Sequence, residues 1–177
     1  GSDSVLRRMS RRCKTAEFSQ LAEKARNSIS DFNITTDIIV GFPGETEAEW
    51  SESLRFVEQI GFGHVHIFSY SARAGTKAAQ MSHQISKEVK KHRNHEMHLL
   101  ANQLKISAME SMVGSSQNIL WERQVDTTKN IWTGYTPQYF KVLSHNPHNL
   151  ESMITSAQIS GVDGDMQSLT ALSPVDF

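Results

Sequence analysis

Two strand signals with a helix signal between them constrain the fold of this chain more than any other feature. Residues 34–40 and 64–70 are short runs rich in β-branched or aromatic side chains, and each leads into a loop that contains glycine. Between them, Thr46-Glu-Ala-Glu49 has the spacing of a helix capping box. The apolar side chains that follow it recur every three or four residues, and Gly61 is expected to end this helix. Strand, helix, strand is the pattern of a parallel α/β sheet, whose ligands bind at the loops after the strands.

Helices are also predicted on both sides of this unit, over about residues 15–29 with Thr15 as the cap and over 86–112. A parallel sheet of only two strands leaves both edges unpaired and is not stable alone. Residues 1–112 are therefore expected to belong to a larger sheet or barrel. The missing strands come either from a preceding segment of a parent chain or from another copy. The exposed sheet edge favours self-association in either case.

Residues 113–177 are predicted to form a separate all-β domain. The formal charge changes from +2 over residues 1–112 to −3 over residues 113–177, which together give the net charge of −1. Five short strand-like runs, separated by turn signals, predict a small closed OB-like barrel. These runs are 117–122, 132–136, 139–143, 152–160 and 168–172.

Composition excludes several classes of protein. A net charge of −1 over 177 residues argues against a protein that coats polyanions. The sequence has no apolar run of the ~20 residues that a membrane span needs and no signal-peptide pattern, so we expect a cytoplasmic protein with no membrane partner. One cysteine, Cys13, excludes an internal disulfide and any all-cysteine metal site built from this chain alone.

The loop after the first predicted strand, Gly41-Phe-Pro-Gly-Glu-Thr46, is the sharpest candidate site. Glycines allow a backbone to approach a ligand closely, and the helix that begins at Thr46 offers free N–H groups. Glu45 can accept hydrogen bonds from a ligand. A plain tight turn with Glu45 as a solvated acid in the first helical turn explains the pattern about as well.

Other charged or titratable groups have a plainer explanation. The basic cluster of residues 7–14 can meet an anion, but a solvated surface is favoured. In the loop 70–76, Arg73 can bind an anion and Tyr70 can stack, or Arg73 pairs with a nearby acid. The histidines at 92, 95 and 98 lack the spacing of a zinc-binding helix, so we predict a wet helix face and no metal site.

Aromatic side chains are concentrated in the β part of the chain. They can stack on unpaired bases, as OB-like modules do, although core packing explains about half of them. The acidic balance of this part argues against strong unaided RNA binding, since Lys129 and Lys141 are its only lysines. The aromatic residues are Trp121, Trp132, Tyr135, Tyr139 and Phe140.

Three segments resemble the radical S-adenosylmethionine tRNA methylthiotransferases: residues 1–12, 38–46 and 66–79. Residues 66–68, 120–122 and 132–136 are similar to the MtaB-like branch, which acts on threonylcarbamoyladenosine beside the anticodon. The resemblance implies that residues 1–112 are the second part of a TIM-like radical S-adenosylmethionine barrel. It also implies that residues 113–177 are a TRAM domain, an OB-like tRNA-binding module.

The resemblance further implies an activity and a set of site residues. In this family a reduced 4Fe-4S cluster splits S-adenosylmethionine, the resulting radical abstracts hydrogen from adenine, and a methylthio group is inserted. Carried over by position, the residues that line the cofactor are Gly41, Phe42, Gly44 and Glu45, with Ser2 and Arg11 near its ribose and carboxylate. Tyr70, Arg73 and Thr76 border the reaction pocket. The residues expected to contact the tRNA anticodon loop are Lys129, Trp132, Tyr135 and Lys141.

The chain departs from the family pattern in two ways. The three-cysteine cluster motif is absent, and Cys13 alone cannot hold a cluster. Ser69, Ala72 and Ala74 stand where the family usually has prolines, which should loosen that loop. We therefore expect a C-terminal piece of an enzyme that is inactive and binds no cofactor alone. The alternatives are a free-standing tRNA-binding module with a barrel remnant, or a non-catalytic oligomeric scaffold.

Overall fold

The structure is a computed structural model that describes residues 1–165 and 167–172. Close contacts divide the chain into two compact units, Gly1–Leu104 and Lys105–Phe177. The first unit has mixed α/β content. Its elements, in chain order, are α1 (Asp3–Arg8), α2 (Thr15–Ser28), β1 (Thr35–Val40), α3 (Glu47–Ile60), β2 (His64–Ser69), α4 (Lys77–Gln80) and α5 (Lys87–Glu110), the last of which continues into the second unit.

The two strands of the first unit pair in parallel, in register from Thr35 opposite His64 to Val40 opposite Ser69. One face of this sheet packs against α2, α3 and α5, and the buried side chains there include Val40, Val57 and Met97. The other face is open, with an exposed fraction of 52% for Phe68. The run of β-branched side chains in residues 34–40 is typical of a strand buried on both faces, and that expectation is half wrong, because only one face of the sheet is covered.

Helix α3 begins and ends as its sequence predicts. Thr46 accepts a hydrogen bond from the backbone N–H of Glu49, and Glu49 Oε2 accepts one from the N–H of Thr46, which completes the capping box. Gly61 closes the helix in the left-handed conformation with φ of 64°. Both ends are fixed by local chemistry, and this orients the loop that precedes the helix.

The beginning of α2 differs from the prediction that Thr15 caps its own helix. The backbone N–H of Thr15 donates to Asp3 Oδ1 at 2.8 Å, and Thr15 is the first helical residue. Asp3 belongs to α1, a short helix that the sequence analysis missed because six residues are too few to show an apolar period. A carboxylate from another element thus supplies the N-terminal acceptor.

The second unit is a closed five-stranded barrel, as predicted. Its strands are β3 (Ser116–Asp126), β4 (Ile131–Tyr135), β5 (Lys141–His145), β6 (Ile154–Asp163) and β7 (Ser168–Ala171), in the spatial order β3-β4-β5-β7-β6. Strand β6 runs through Gly161, where the sequence predicted a turn. The pairing of β6 with β7 shifts register between Ile159 and Gly161, so the glycine lies at a bulge within the strand.

The barrel core contains residues from the end of α5 as well as from the strands. Met109 and Met112 are buried with Trp121, Ile119 and Val142. The boundary of the compact units therefore falls inside α5, earlier than the change in composition. Within the described residues, no helix has the length and apolar character required to cross a bilayer.

Candidate functional site

The loop that joins β1 to α3 turns sharply at two glycines. Gly41 and Gly44 have φ of 72° and 75°, a region that side chains other than glycine seldom enter. A Cβ on Gly41 would overlap the side chain of Lys90, so this position also lacks space. The N–H of Gly44 donates to the carbonyl of His83 at 2.9 Å. The predicted glycine turn is present, and it is tied to the segment before α5.

Glu45 belongs to this loop, and its side chain is buried beneath the loop backbone, with an exposed fraction of 4% for the residue. Its Oε2 accepts a hydrogen bond from the N–H of Gly41 at 2.8 Å and another from Arg93 Nη1 at 2.9 Å. Burial raises the pKa of the Glu45 carboxyl, and the contacts with Gly41 and Arg93 oppose that rise. The interpretation of Glu45 as a solvated acid is wrong, because the loop folds over it.

Arg93 is the buried counter-ion of this loop, and sequence reasoning missed that role. Besides Glu45 Oε2, its guanidinium donates to the Glu45 carbonyl at 3.1 Å and to Glu47 Oε2 at 2.8 Å. It also lies 5.8 Å from the centre of the Trp50 ring. In the sequence, Arg93 lies at helical spacing from Val89 and Met97, on the same side of the predicted helix, and this shared side is its one signal.

Helix α1 is held to α3 by hydrogen bonds to carboxylates. Arg8 forms a bidentate pair with Glu49, at 2.7 Å for both bonds, and Ser4 donates to the same carboxylate at 2.5 Å. These contacts hold the pKa of Glu49 well below its usual range. Ser2 is buried and donates to Glu52 Oε2 at 2.5 Å. The basic cluster is therefore only partly a solvated surface, since Arg8 is fixed in an ion pair.

A cavity of about 790 Å³ opens beside the ends of β1 and β2 where the glycine loop begins. Six of the residues that the sequence analysis proposed for cofactor or reaction lie on its wall: Arg11, Phe42, Glu45, Tyr70, Arg73 and Thr76. The other three, Ser2, Gly41 and Gly44, do not line it. Each of these three stabilises the surrounding segments through a hydrogen bond. Ser2 bonds to Glu52, Gly41 to Glu45, and Gly44 to His83.

The Tyr70 side chain on the wall of this cavity carries a polar group that the described residues do not pair. Its ring meets the edge of Phe42 at 5.3 Å between centroids, and its carbonyl accepts from Lys90 Nζ at 3.2 Å. Its hydroxyl is buried and has no hydrogen-bond partner among the described residues. A buried hydroxyl without a partner is costly, so a ligand atom there would satisfy it. Arg73, which is exposed at the rim, forms no ion pair with a described acid.

The hydroxyl of Thr76 is already engaged in hydrogen bonds within its own loop, which limits its contact with a ligand. Its hydroxyl donates to the carbonyl of Arg73 at 2.8 Å and accepts from the N–H of Ala79 at 3.3 Å, which caps α4. It therefore fixes the turn that carries Arg73.

The structure separates the residues that were proposed to bind RNA. Trp132 is only 5% exposed and donates to the carbonyl of Asn146 at 3.1 Å, so it offers no ring face to a base. Lys129 is exposed in the β3–β4 turn, whereas Tyr135 and Lys141 pair across β4 and β5. Tyr139, with 85% of its surface exposed, was among the aromatic candidates but not in the predicted set of site residues. In the sequence, Tyr139 follows the turn-forming pair Thr136-Pro137, which is the local signal of its position.

The side chains that could bind a metal do not cluster in the part of the chain that the structure describes. Cys13 is exposed and free. Across residues 1–165 and 167–172, no group of three or more His, Cys, Asp or Glu side chains converges to hold a metal ion. His92 lies on the exposed side of α5, with Nε2 3.6 Å from Glu96 Oε2.

No protein-family model matches the chain. Curated relatives do match it. The threonylcarbamoyladenosine tRNA methylthiotransferase MtaB of Thermotoga maritima is 40% identical over 141 residues, which are 80% of this chain and 32% of that protein. The MtaB of Bacillus subtilis is 34% identical over 161 residues, 90% of this chain and 36% of that protein. The chain belongs to the radical S-adenosylmethionine tRNA methylthiotransferase family.

A second branch of this family also matches. The tRNA-2-methylthio-N(6)-dimethylallyladenosine synthase of Oceanobacillus iheyensis is 32% identical over 160 residues, 90% of this chain and 31% of that protein. The chain spans about a third of the length of these three relatives. The resemblance found in the sequence motifs is thereby confirmed at the level of the family.

Proposed function

We propose that this chain forms part of a tRNA methylthiotransferase. In this proposal residues 1–112 are the second part of a TIM-like barrel and residues 113–177 are a TRAM domain that binds RNA. The open face and unpaired edges of the β1–β2 sheet support the first assignment, because they are what remains when the neighbouring strands of a barrel are missing. The closed five-stranded barrel supports the second.

The observation that carries the proposal is the cavity at the ends of β1 and β2. Its volume of about 790 Å³ is in the range that accommodates small-molecule ligands. Phe42 and Tyr70 give it an aromatic wall suited to a nucleobase, and Tyr70 adds a hydroxyl without a partner. Arg11 and Arg73 add cations suited to a carboxylate. These features fit S-adenosylmethionine, which supplies an adenosyl group for radical chemistry when it is bound in such enzymes.

The chain's own residues would then divide into two roles. Phe42, Tyr70 and Arg73 contact the ligand and orient it. Glu45 acts indirectly: because its Oε2 is occupied by Gly41 and Arg93, it holds the loop in shape. Ser2 likewise holds α1 in place through Glu52.

An iron–sulfur cluster does not fit the residues of this chain. Such a cluster needs several thiolates, and Cys13 is the chain's only cysteine. We therefore assign no step of a reaction to a cluster held here. Cysteines from the part of the relatives that this chain does not span would have to supply it.

We propose N6-threonylcarbamoyladenosine in tRNA, beside the anticodon, as the substrate. The two MtaB relatives carry that nucleoside in their names, and residues 66–68, 120–122 and 132–136 resemble their branch. The dimethylallyladenosine synthase is the competing choice. Since tRNA is the substrate in both cases, the proposed location is the cytoplasm.

Equilibrium dialysis of S-adenosylmethionine against the 177-residue chain tests the cofactor site. The sequence, which lacks the cluster cysteines, led us to expect no cofactor binding by this chain alone. Because the chain's own residues line the whole cavity, we propose instead that it binds S-adenosylmethionine in a saturable way, and that S-adenosylhomocysteine displaces it. Arg73→Gln should weaken it by about tenfold or more, the value of a charged hydrogen bond. Arg55→Gln, which removes an exposed arginine of α3 that does not line the cavity, is the matched control and should bind as the wild type does. Absence of saturable binding by the wild type contradicts the proposal.

A free-standing RNA-binding module remains a second candidate function, because one observation favours it. The barrel exposes an aromatic ring, Tyr139, next to a lysine. RNA binding without binding of S-adenosylmethionine would favour this candidate, and binding of both would favour the enzyme.

A further inference from the structure

Tyr139 presents its ring to solvent at the end of the hairpin that joins β4 and β5. Its exposed fraction is 85%, whereas Trp121, Trp132 and Phe140 in the same barrel are 5% exposed or less. A tyrosine in this state contributes little to the packing of the barrel. Most of its ring surface is therefore available to a partner.

The backbone holds Tyr139 in a conformation that bulky residues rarely adopt. Its φ is 65°, in the left-handed region that favours glycine and asparagine. Three hydrogen bonds fix the turn: Tyr139 N–H to the Thr136 carbonyl at 2.9 Å, Phe140 N–H to Thr136 Oγ1 at 3.2 Å, and Thr136 N–H to the Phe140 carbonyl at 3.0 Å. The turn therefore displays the ring at a conformational cost, and a ring with 85% of its surface exposed offsets little of that cost by packing.

Next to Tyr139, a row of half-buried and exposed side chains runs across four neighbouring strands, β5, β4, β3 and β6. Lys141 lies opposite Tyr135, Tyr135 lies opposite Leu120, and Leu120 lies opposite Ile154. Leu120 and Ile154 are 46% and 69% exposed. Adjacent apolar and aromatic side chains on an outer sheet surface are suited to the faces of bases.

Two lysines without acidic partners border this surface. Lys105 is half-buried, and its Nζ is 3.3 Å from Gln167 Oε1. Burial, and then the charge of Lys141, lower the pKa of Lys105. Within the part of the chain that the structure describes, neither lysine forms an ion pair with an acid. A phosphate between them would relieve their repulsion.

We propose that Tyr139, Lys141 and Lys105 form a binding site for single-stranded RNA. Tyr139 stacks on an unpaired base, and the two lysines face the phosphate backbone. The inference rests on the proposed tRNA-binding function and deepens it, because ring stacking requires a base that is free of a partner. The site therefore takes the unpaired loop of a tRNA and not a helical stem.

The test is a titration of the full chain into a fluorescent anticodon-loop RNA at several salt concentrations. Tyr139→Phe keeps the ring and should retain the affinity within about twofold. Tyr139→Asn should lower it by about 5- to 150-fold at every salt concentration, the usual value of one stacked base. The slope of log affinity against log salt should not change in either variant. Because asparagine tolerates a positive φ, the thermal midpoint of Tyr139→Asn should stay level or rise, which separates lost binding from unfolding.

The lysine variants have a different signature. Lys141→Gln and Lys105→Gln should each reduce the salt slope by about 0.7, the value for one phosphate contact on a single strand. Lys24→Gln removes an exposed lysine of α2 and is the matched control for net charge, with no expected change in slope. A duplex RNA of the same length should compete poorly.

Three outcomes overturn the inference. If the wild type binds the RNA and Tyr139→Asn binds equally well, the stacking site is wrong and the proposed function is untouched. If the duplex competes as well as the loop, the surface contacts phosphates alone and the preference for single strands is wrong. If the wild type binds no RNA, this inference and the RNA-binding part of the proposed function fail together.

Discussion

The carboxylate of Glu45 and the guanidinium of Arg93 form a buried ion pair, with 2.9 Å between Oε2 and Nη1 and side chains only 2% and 4% exposed. The same carboxylate oxygen binds the N–H of Gly41. The shape of the cavity-lining loop therefore depends on a helix 48 residues further along the chain.

Arg93→Met should destabilise the chain strongly. It leaves the Glu45 carboxylate buried without its charge partner, which costs about 3–5 kcal/mol in the free energy of unfolding. Urea denaturation measures this loss. The double variant Arg93→Met with Glu45→Met removes both charges and should recover part of it. Arg55→Met, on an exposed part of α3, should stay within about 0.5 kcal/mol of the wild type. A loss for Arg93→Met as small as that of Arg55→Met would show that the pair does not hold the loop.

The ionised form of Glu49 should stabilise the fold in a pH-dependent way. Because Arg8, Ser4 and the N–H of Thr46 depress its pKa in the folded state, the stabilisation is complete above the ordinary glutamate pKa of about 4.3. It is lost as the pH falls below that value toward the depressed pKa. Glu49→Gln should cost about 1.5–3 kcal/mol at pH 7 and progressively less in acid.

Urea unfolding of wild type and Glu49→Gln at several pH values measures this difference. Glu23→Gln, an exposed residue of α2, is the control and should show no such trend. A difference between wild type and Glu49→Gln that stays constant from pH 7 into strong acid would mean that folding does not change the pKa of Glu49.

Asp3 should behave as the N-terminal cap of α2. Asp3→Ala removes the acceptor for the Thr15 N–H and should lower the free energy of unfolding by about 0.5–2 kcal/mol. Thermal denaturation followed by circular dichroism measures the effect. Glu17→Ala, an acid in the first turn of the same helix that forms an exposed pair with Lys14, should cost less. Equal losses in the free energy of unfolding for the two variants would show that the negative charge near the helix N-terminus stabilises α2 and that the hydrogen bond from Thr15 to Asp3 does not.

The sequence predicts the features that depend on residues close together in the chain, and it does not predict those that depend on contacts between distant elements. The capping box at Thr46, the end of α3 at Gly61 and the closed barrel depend on neighbouring residues or on strand periodicity, and the structure bears them out. The cap from Asp3 and the counter-ion Arg93 come from other elements, and no local pattern marks them. The aromatic pattern of the barrel could not distinguish Trp132 inside from Tyr139 outside, because both lie beside turn signals.

The open sheet of the first unit should associate with another copy at high concentration. Phe68, 52% exposed on the uncovered face of β2, is expected to be buried in that contact. Phe68→Glu should weaken association by about tenfold or more, since burial of such a ring contributes about 1.5–3 kcal/mol. Sedimentation velocity over a concentration series measures it. Leu21→Glu, which changes an exposed apolar residue of α2, is the control. A wild type that stays monomeric at all concentrations would contradict self-association through this sheet.

The most direct test of the central claim is to map S-adenosylmethionine on the chain by NMR. Titration into the ¹⁵N-labelled protein should shift the backbone amides of Phe42, Tyr70 and Arg73, which line the cavity, in a saturable way. The amides of Lys129 and Tyr139 in the barrel should not move and serve as internal controls. Saturable shifts around the cavity would support its role as the cofactor site of a methylthiotransferase. Unchanged spectra, or shifts confined to the barrel, would contradict it.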